Sequence, residues 1–238
     1  KWHLGPVKKA SPTNPGAFGF DQWLSHDNFF ELNPVLSRNG RKPAQISGES
    51  SQIIVDAAIE FIEKSKRSGA PFFIVIWFGS PHEPYSGLPD DLKLYDDVVE
   101  KYSDKTFRLT SNETGEPTTR PLGEILRERY AEITAMDRSI GSLRSWLQSE
   151  SLHEDTLLWY CGDNGTPGDG IVTSPFRGRK GTMYEGGIRV PAVIEWPAGL
   201  PATRVIDANT VTSDMLPTLC AITGIDLPKR PLDGISLL

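Results

Sequence analysis

Pro71-Phe72-Phe73-Ile74-Val75-Ile76-Trp77-Phe78-Gly79-Ser80-Pro81-His82 is the stretch on which the fold turns. The run from Phe72 to Phe78 is aromatic and β-branched and shows no apolar/polar alternation. It reads as a strand covered on both faces, as in parallel sheets. Gly79, Pro81 and Pro84 end it. Upstream, Ile53, Ile54, Ala57, Ala58, Phe61 and Ile62 recur at i, i+1, i+4 and i+5. That stripe predicts a helix capped by Ser50 or Ser51 and stopped at Gly69. Downstream, residues 84–121 are polar and turn-rich with no clear period, and read as a long insertion.

The remaining elements follow from the same rules. Ile125, Leu126, Tyr130, Ile133, Met136, Ile140, Leu143 and Leu147 step by three or four and predict a second helix over 121–150. Residues 156–161 read as a second buried strand and 190–196 as a third, weakened by Pro191. A last helix is expected over 213–222, with Gly224 after its end. Residues 1–49, rich in Gly, Pro, Asn and Ser with scattered aromatics, read as ordered irregular structure. Strand and helix alternate, so the fold class is α/β with a mostly parallel sheet flanked by helices.

The chain has 238 residues, 38% of them hydrophobic and 24% charged, which argues against disorder and coiled coil. No apolar run approaches the roughly 20 residues of a membrane span. Net charge is −6, with 25 Lys and Arg against 31 Asp and Glu, so the basic footprint of a nucleic-acid binder is missing. Cys161 and Cys220 form neither a disulfide framework nor a zinc spacing. The chain begins at Lys1-Trp2-His3-Leu4-Gly5 without an initiator Met or leader, which reads as a cut edge.

In open α/β sheets ligands gather past the carboxyl ends of strands. Two segments qualify, Gly79-Ser80-Pro81-His82 and Gly162-Asp163-Asn164-Gly165. Asp163 and Asn164 are hard oxygen donors suited to Ca²⁺ or Mg²⁺, and equally are ordinary turn residues. His82 could donate a proton near neutral pH or simply pack in its loop. Lys1 and His3, if extended, would share one face with Trp2 opposite, a pair that suits an anionic substrate. Arg177-Gly178-Arg179-Lys180-Gly181 could clamp an oxyanion or lie solvated; the spacing is not that of a P-loop. Tyr130 and Met136 read as core, and Asp137 as a surface charge or a structural partner.

In their order along the chain these segments resemble the sulfatase family. Lys1-Trp2-His3-Leu4-Gly5 resembles its second signature, and Gly19-Phe20-Asp21 the G-F-D that follows. Ser80-Pro81-His82-Glu83-Pro84 resembles its histidine loop. Tyr130-Ala131-Glu132-Ile133 with Met136-Asp137 resembles its long helix, and Gly162-Asp163-Asn164-Gly165 its metal motif. Arg179-Lys180-Gly181 with Tyr184-Glu185-Gly186-Gly187-Ile188-Arg189-Val190-Pro191 resembles its second lysine segment. Asp214, Pro217-Thr218-Leu219 and Leu232-Asp233-Gly234 close the series. The details lean towards the arylsulfatase and N-acetylgalactosamine-6-sulfatase-like kind.

The resemblance implies an alkaline-phosphatase-like α/β fold and hydrolysis of aryl or carbohydrate sulfate monoesters, with a formylglycine nucleophile and a divalent cation, Ca²⁺ or Mg²⁺. It implies Asp163 and Asn164 as metal ligands, and Lys1 and Lys180 on the sulfate oxygens. His82 would contact the bridging oxygen as general acid, and His3 would assist release of sulfate. The implied compartment is periplasmic or secreted, and the implied partner a sulfated small molecule or glycan.

The nucleophile motif C/S-x-P/A-x-R is absent, Ser174-Pro175-Phe176-Arg177 being a near miss, and so is the amino-terminal Asp pair of the metal site. The chain is therefore expected to be residues 1–238 of a partial catalytic domain, incomplete at its amino-terminal side and inactive alone. Two alternatives stand beside this. One is a phosphoesterase or phosphonate hydrolase of the same superfamily. The other is a non-catalytic or split half that binds a partner chain, its own missing amino-terminal half included.

Overall fold

The computed structural model describes residues 2–27, 32–111, 114–168 and 175–238. It divides into two compact units, Lys1–Ala198 and Gly199–Leu238.

The first unit opens with a three-stranded antiparallel sheet of β1 (Leu24–Ser25), β2 (Val35–Arg38) and β3 (Ala44–Gln45), so the amino-terminal segment is more regular than its composition suggests. Helix α1 (Ser50–Ser68) lies where its stripe predicts, but its cap differs. The Glu49 carboxylate accepts the amides of Ser51 (3.0 Å) and Gln52 (2.9 Å), while Ser50 and Ser51 are buried inside the first turn. A carboxylate there both satisfies orphan donors and complements the helix dipole. Lys66 and Arg67 occupy the last turn, and Gly69 closes the helix at φ +67°.

Residues 84–121 are not structureless. They hold α2 (Pro89–Lys93), α3 (Asp96–Lys101) and an antiparallel hairpin of β4 (Thr106–Thr110) and β5 (Pro117–Pro121). The period of two is short and carried by Thr and Arg, with Phe107 and Leu109 as its inward side chains. Helix α4 (Leu122–Ser149) then runs 28 residues, about 42 Å at 1.5 Å per residue. One end buries Leu122 and Leu126 against Val98, with Tyr95, Tyr102, Phe107 and Tyr130 around them. The other end packs Leu143 and Leu147 on Val55 and Ile62 of α1. Ile133 departs from the stripe and is 40% exposed.

The segment 72–78 departs from expectation in an informative way. Phe72, Ile74, Ile76 and Phe78 pack on the core between α1 and α4. Phe73, Val75 and Trp77 point the other way and stay 62%, 39% and 46% exposed. The segment joins no ladder among the described residues. Its outer side meets aromatic rings, Phe20 stacked on Phe73 (6.2 Å) and Trp2 on Trp77 (5.5 Å).

Strands β6 (Leu158–Cys161) and β7 (Ala192–Glu195) form a further antiparallel ladder, with Trp159 opposite Ile194. Pro191 delays β7 by offering no amide, yet its carbonyl still accepts from Gly162 at 3.1 Å. The short helix α5 (Glu185–Ile188) precedes β7. All ladders among the described residues are antiparallel, so the parallel pairing read from the apolar runs is not seen within them.

The second unit is built on Asp214. Its carboxylate accepts the amides of Val211 (2.9 Å) and Ile235 (2.9 Å), and those bonds hold its pKa below the usual carboxylate value. Helix α6 (Met215–Thr223) follows a turn of 3₁₀ helix, and Gly224 ends it at φ +71°. A Cβ at Gly234 would collide with the Ser213 carbonyl, which accounts for glycine after Leu232-Asp233.

Candidate active site

Three loops of the first unit carry the residues singled out above. The first leaves the 72–78 segment. His82 N–H donates to the Gly79 carbonyl at 3.1 Å, closing a turn, and His82 Nδ1 lies 2.8 Å from the Glu83 carbonyl oxygen. A carbonyl can only accept, so Nδ1 is the protonated nitrogen of that contact. Glu83 beside it is half-buried, and burial raises its pKa against the opposing pull of Lys180 and Arg129. The Lys180 charge is therefore felt at the histidine loop.

The second loop leaves β6. Asp163 is exposed and Asn164 half-buried, and the Asn164 amide nitrogen donates to the Gly165 carbonyl at 3.1 Å, which commits its donor side and leaves the oxygen as its ligating atom. Burial foremost, with Asp163 adding, pushes the Cys161 thiol up. A nucleophilic cysteine needs the opposite shift. Tyr160 is raised for the same first reason, with Cys161, Asp137 and Asp163 contributing.

The third loop, 175–187, closes on the second. Gly165 N–H donates to the Gly187 carbonyl (2.9 Å), and Lys180 N–H donates to the Thr166 carbonyl (2.8 Å). Glycine is required on both sides: a Cβ at Gly165 would strike the Gly186 carbonyl, and one at Gly187 the Thr182 carbonyl. Arg177 lies over the Tyr184 ring at 3.8 Å and Arg189 over Phe176 at 4.5 Å, which fixes two cations of the segment and leaves Lys180 as an exposed one. The structure thus joins the Lys180 loop to the Asp163-Asn164 loop, and the Lys180 charge acts on Glu83 beside His82.

The amino-terminal pair fares differently. Lys1 and the near-miss Ser174 lie outside the described residues. His3 is exposed with φ +56°, a left-handed conformation, so the period-2 argument that would put Lys1 and His3 on one face fails at His3. Trp2 is buried, donates its indole N–H to the Thr13 carbonyl at 2.6 Å and stacks on Trp77. The start of the chain therefore runs beside the segment that leads to His82.

The Sulfatase family model matches residues 1–225 of this chain. The chain belongs to the sulfatase family. It is 27% identical to dog (Canis lupus familiaris) N-acetylgalactosamine-6-sulfatase over 264 residues, covering 100% of this chain and 44% of that protein. It is 28% identical to the ulvan-active sulfatase of Formosa agariphila over 242 residues, again covering 44% of that protein and 99% of this chain. Among solved structures, Ps i-CgsB in complex with k-i-k-neocarrahexaose superimposes with a TM-score of 0.79 at 21% identity, over 99% of this chain and 52% of that one. The fold is the alkaline-phosphatase-like fold of sulfatases, and the chain spans about half the length of the relatives it matches.

The family's divalent cation can be tested against the residues present. Asp163 and Asn164 have the right oxygen chemistry, but no group of three or more His, Cys, Asp or Glu able to hold a metal occurs among the described residues. Ca²⁺ takes six to eight oxygens. The donors fit in kind and fall short in number among the described residues.

Sequence reasoning assigned no role to Glu83, Tyr85 or Arg129, and placed Glu132 only within a helix motif. A signal existed. Ile125, Arg129, Glu132, Met136, Leu143 and Leu147 keep helical spacing, and a charge at an apolar-stripe position demands a partner. Arg129 and Glu132 are each 5% exposed.

Proposed function

We propose that residues 1–238 form part of a sulfatase catalytic domain that hydrolyses sulfate monoesters of carbohydrates, and that they supply the leaving-group and sulfate-binding side of the site. The observation that supports this reading is the closure of the Lys180 loop on the Asp163-Asn164 loop through the Lys180–Thr166 and Gly165–Gly187 hydrogen bonds, with the Lys180 charge acting on Glu83 beside His82. Lys180, and Lys1 by resemblance, hold the sulfate oxygens. His82 gives a proton to the bridging oxygen as the S–O bond breaks, so the electron pair leaves as an alcohol and the sulfuryl group passes to a nucleophile. His3 assists release of sulfate. Cations against the equatorial oxygens and an acid at the leaving oxygen oppose the charge that develops in such a transfer.

Asp163 and Asn164 would hold part of the shell of a divalent cation, Ca²⁺ or Mg²⁺, whose chemistry is to polarise the sulfate. The nucleophile, a formylglycine in this family, has no C/S-x-P/A-x-R motif in the 238 residues, so this chain is not competent alone. Relatives named for N-acetylgalactosamine-6-sulfate and ulvan support a sulfated glycan as substrate. The family points to a periplasmic or secreted compartment, and no helix among the described residues is long and apolar enough to cross a membrane.

The test compares Lys180→Ala with Lys42→Ala in a polypeptide that joins these residues to a nucleophile-bearing segment. Sulfate release should fall by roughly a hundredfold or more for Lys180→Ala and stay near wild type for Lys42→Ala. Equal rates would remove Lys180 from the site.

A further inference from the structure

Arg129 and Glu132 stand one turn apart on α4 and both reach the segment that follows His82. Arg129 Nη2 donates to the Tyr85 hydroxyl at 3.1 Å, and its guanidinium carbon lies 5.1 Å from the Tyr85 ring centroid. The Glu132 carboxylate accepts the Ser86 N–H at 2.7 Å. Between them Ala131 abuts Gly87, where a Cβ would come within 2.8 Å of the Ala131 methyl. Six residues past Glu132 on the same helix, Arg138 makes two 2.7 Å bonds to Asp91. The helix therefore grips residues 85–91 along its length, and the grip begins two residues after Glu83.

That matters because the Glu83 carbonyl is what His82 Nδ1 meets at 2.8 Å. With Nδ1–H committed to a carbonyl, Nε2 is the nitrogen that takes up and gives away a proton. A carbonyl fixes the ring only if its own peptide is fixed, and buried charge-assisted hydrogen bonds are strong ways to fix it.

We propose that Arg129 and Glu132 are positioning residues for His82: by anchoring residues 85 and 86 they hold the Glu83 carbonyl that locks the imidazole in its Nδ1–H tautomer. The consequence for catalysis rests on the reading of His82 as the acid at the leaving oxygen. Arg129 adds a second effect, since its charge opposes the rise that burial imposes on Glu83.

Long-range ¹H–¹⁵N NMR of histidine-labelled chain tests the structural claim without activity, with His82→Gln assigning the signal among His3, His26, His82 and His153. Wild type should show a single Nδ1–H tautomer at His82. Arg129→Met and Glu132→Ala should give a mixture, Tyr85→Phe a smaller shift the same way, and Arg129→Lys partial recovery. Tyr85→Phe keeps the ring, and unchanged signals from the other histidines report that the fold survives. An unchanged His82 tautomer in all four variants overturns the proposal.

Kinetics in a nucleophile-bearing polypeptide test the consequence. Nitrophenolate leaves without an acid, so Arg129→Met should slow an alkyl sugar sulfate roughly tenfold more than nitrophenyl sulfate. Equal losses on both substrates contradict positioning of an acid. A wild type that releases sulfate from neither substrate defeats the functional reading instead, and the tautomer result then decides the positioning claim.

Discussion

At the scale of single residues, the structure separates groups that sequence position reveals from groups that only packing reveals. His82, Asp163 and Asn164 stand out in the sequence because they lie just past apolar runs, where α/β sheets gather their ligands, and the structure places each in the loop after its run. Glu49 was not, because a glutamate before two serines gives no hint that its carboxylate will outcompete them for the helix amides. Glu49→Ala should lower stability by about 1 kcal/mol, read from denaturant unfolding, since two amides lose their acceptor. Glu195 offers a pH-dependent case. Arg144 bonds it at 2.6 and 2.7 Å and His153 at 2.9 Å, and the Arg144 bonds chiefly lower its pKa from an ordinary 4.5 to about 2. A depressed carboxyl stabilises fully above its unfolded pKa and loses that contribution as pH falls through the folded one. Glu195→Gln should therefore lower the unfolding free energy at pH 7 by on the order of 1 kcal/mol after solvent screening, read from denaturant unfolding, with the gap from wild type closing between about pH 4.5 and 2. A gap that is constant across that range would place the stabilisation elsewhere.

At the scale of elements, α1, α4 and α6 were legible within a few residues, because a stripe at helical spacing and a closing glycine are local signals. The β4–β5 hairpin was not, since five-residue strands of Thr and Arg ending in Pro carry too short an alternation to stand out from turns. The pairing of β6 with β7 was hidden for another reason: apolar runs report burial, not strand direction. The loops of the site depend on close backbone approach. Gly165→Ala would press a methyl into the Gly186 carbonyl and part the second loop from the third. Hydrogen-exchange protection of the Lys180 amide, bonded to Thr166, should fall in that variant, whereas Gly141→Ala, with open space around its Cβ position, should leave it unchanged.

At the scale of the whole molecule, the family and fold were legible from the order of motifs, and the completeness of the site was not a matter of folding at all. Among the described residues the Lys180 loop closes on the Asp163-Asn164 loop through the Lys180–Thr166 and Gly165–Gly187 hydrogen bonds, while the apolar outer side of 72–78 keeps Phe73 and Trp77 partly in solvent. Such a surface favours association, so the isolated chain should self-associate with rising concentration in sedimentation, and Phe73→Ser should reduce that tendency. The central claim is that these residues are the leaving-group and sulfate-binding side of a sulfate-ester hydrolase. Its most direct test is release of sulfate from a sulfated sugar, measured for the 238-residue chain alone and for the same residues joined to a nucleophile-bearing sulfatase segment. The account predicts turnover only in the joined form, with sulfate esters preferred over the matching phosphate esters. Turnover by the chain alone, or a preference for phosphate in the joined form, would contradict it.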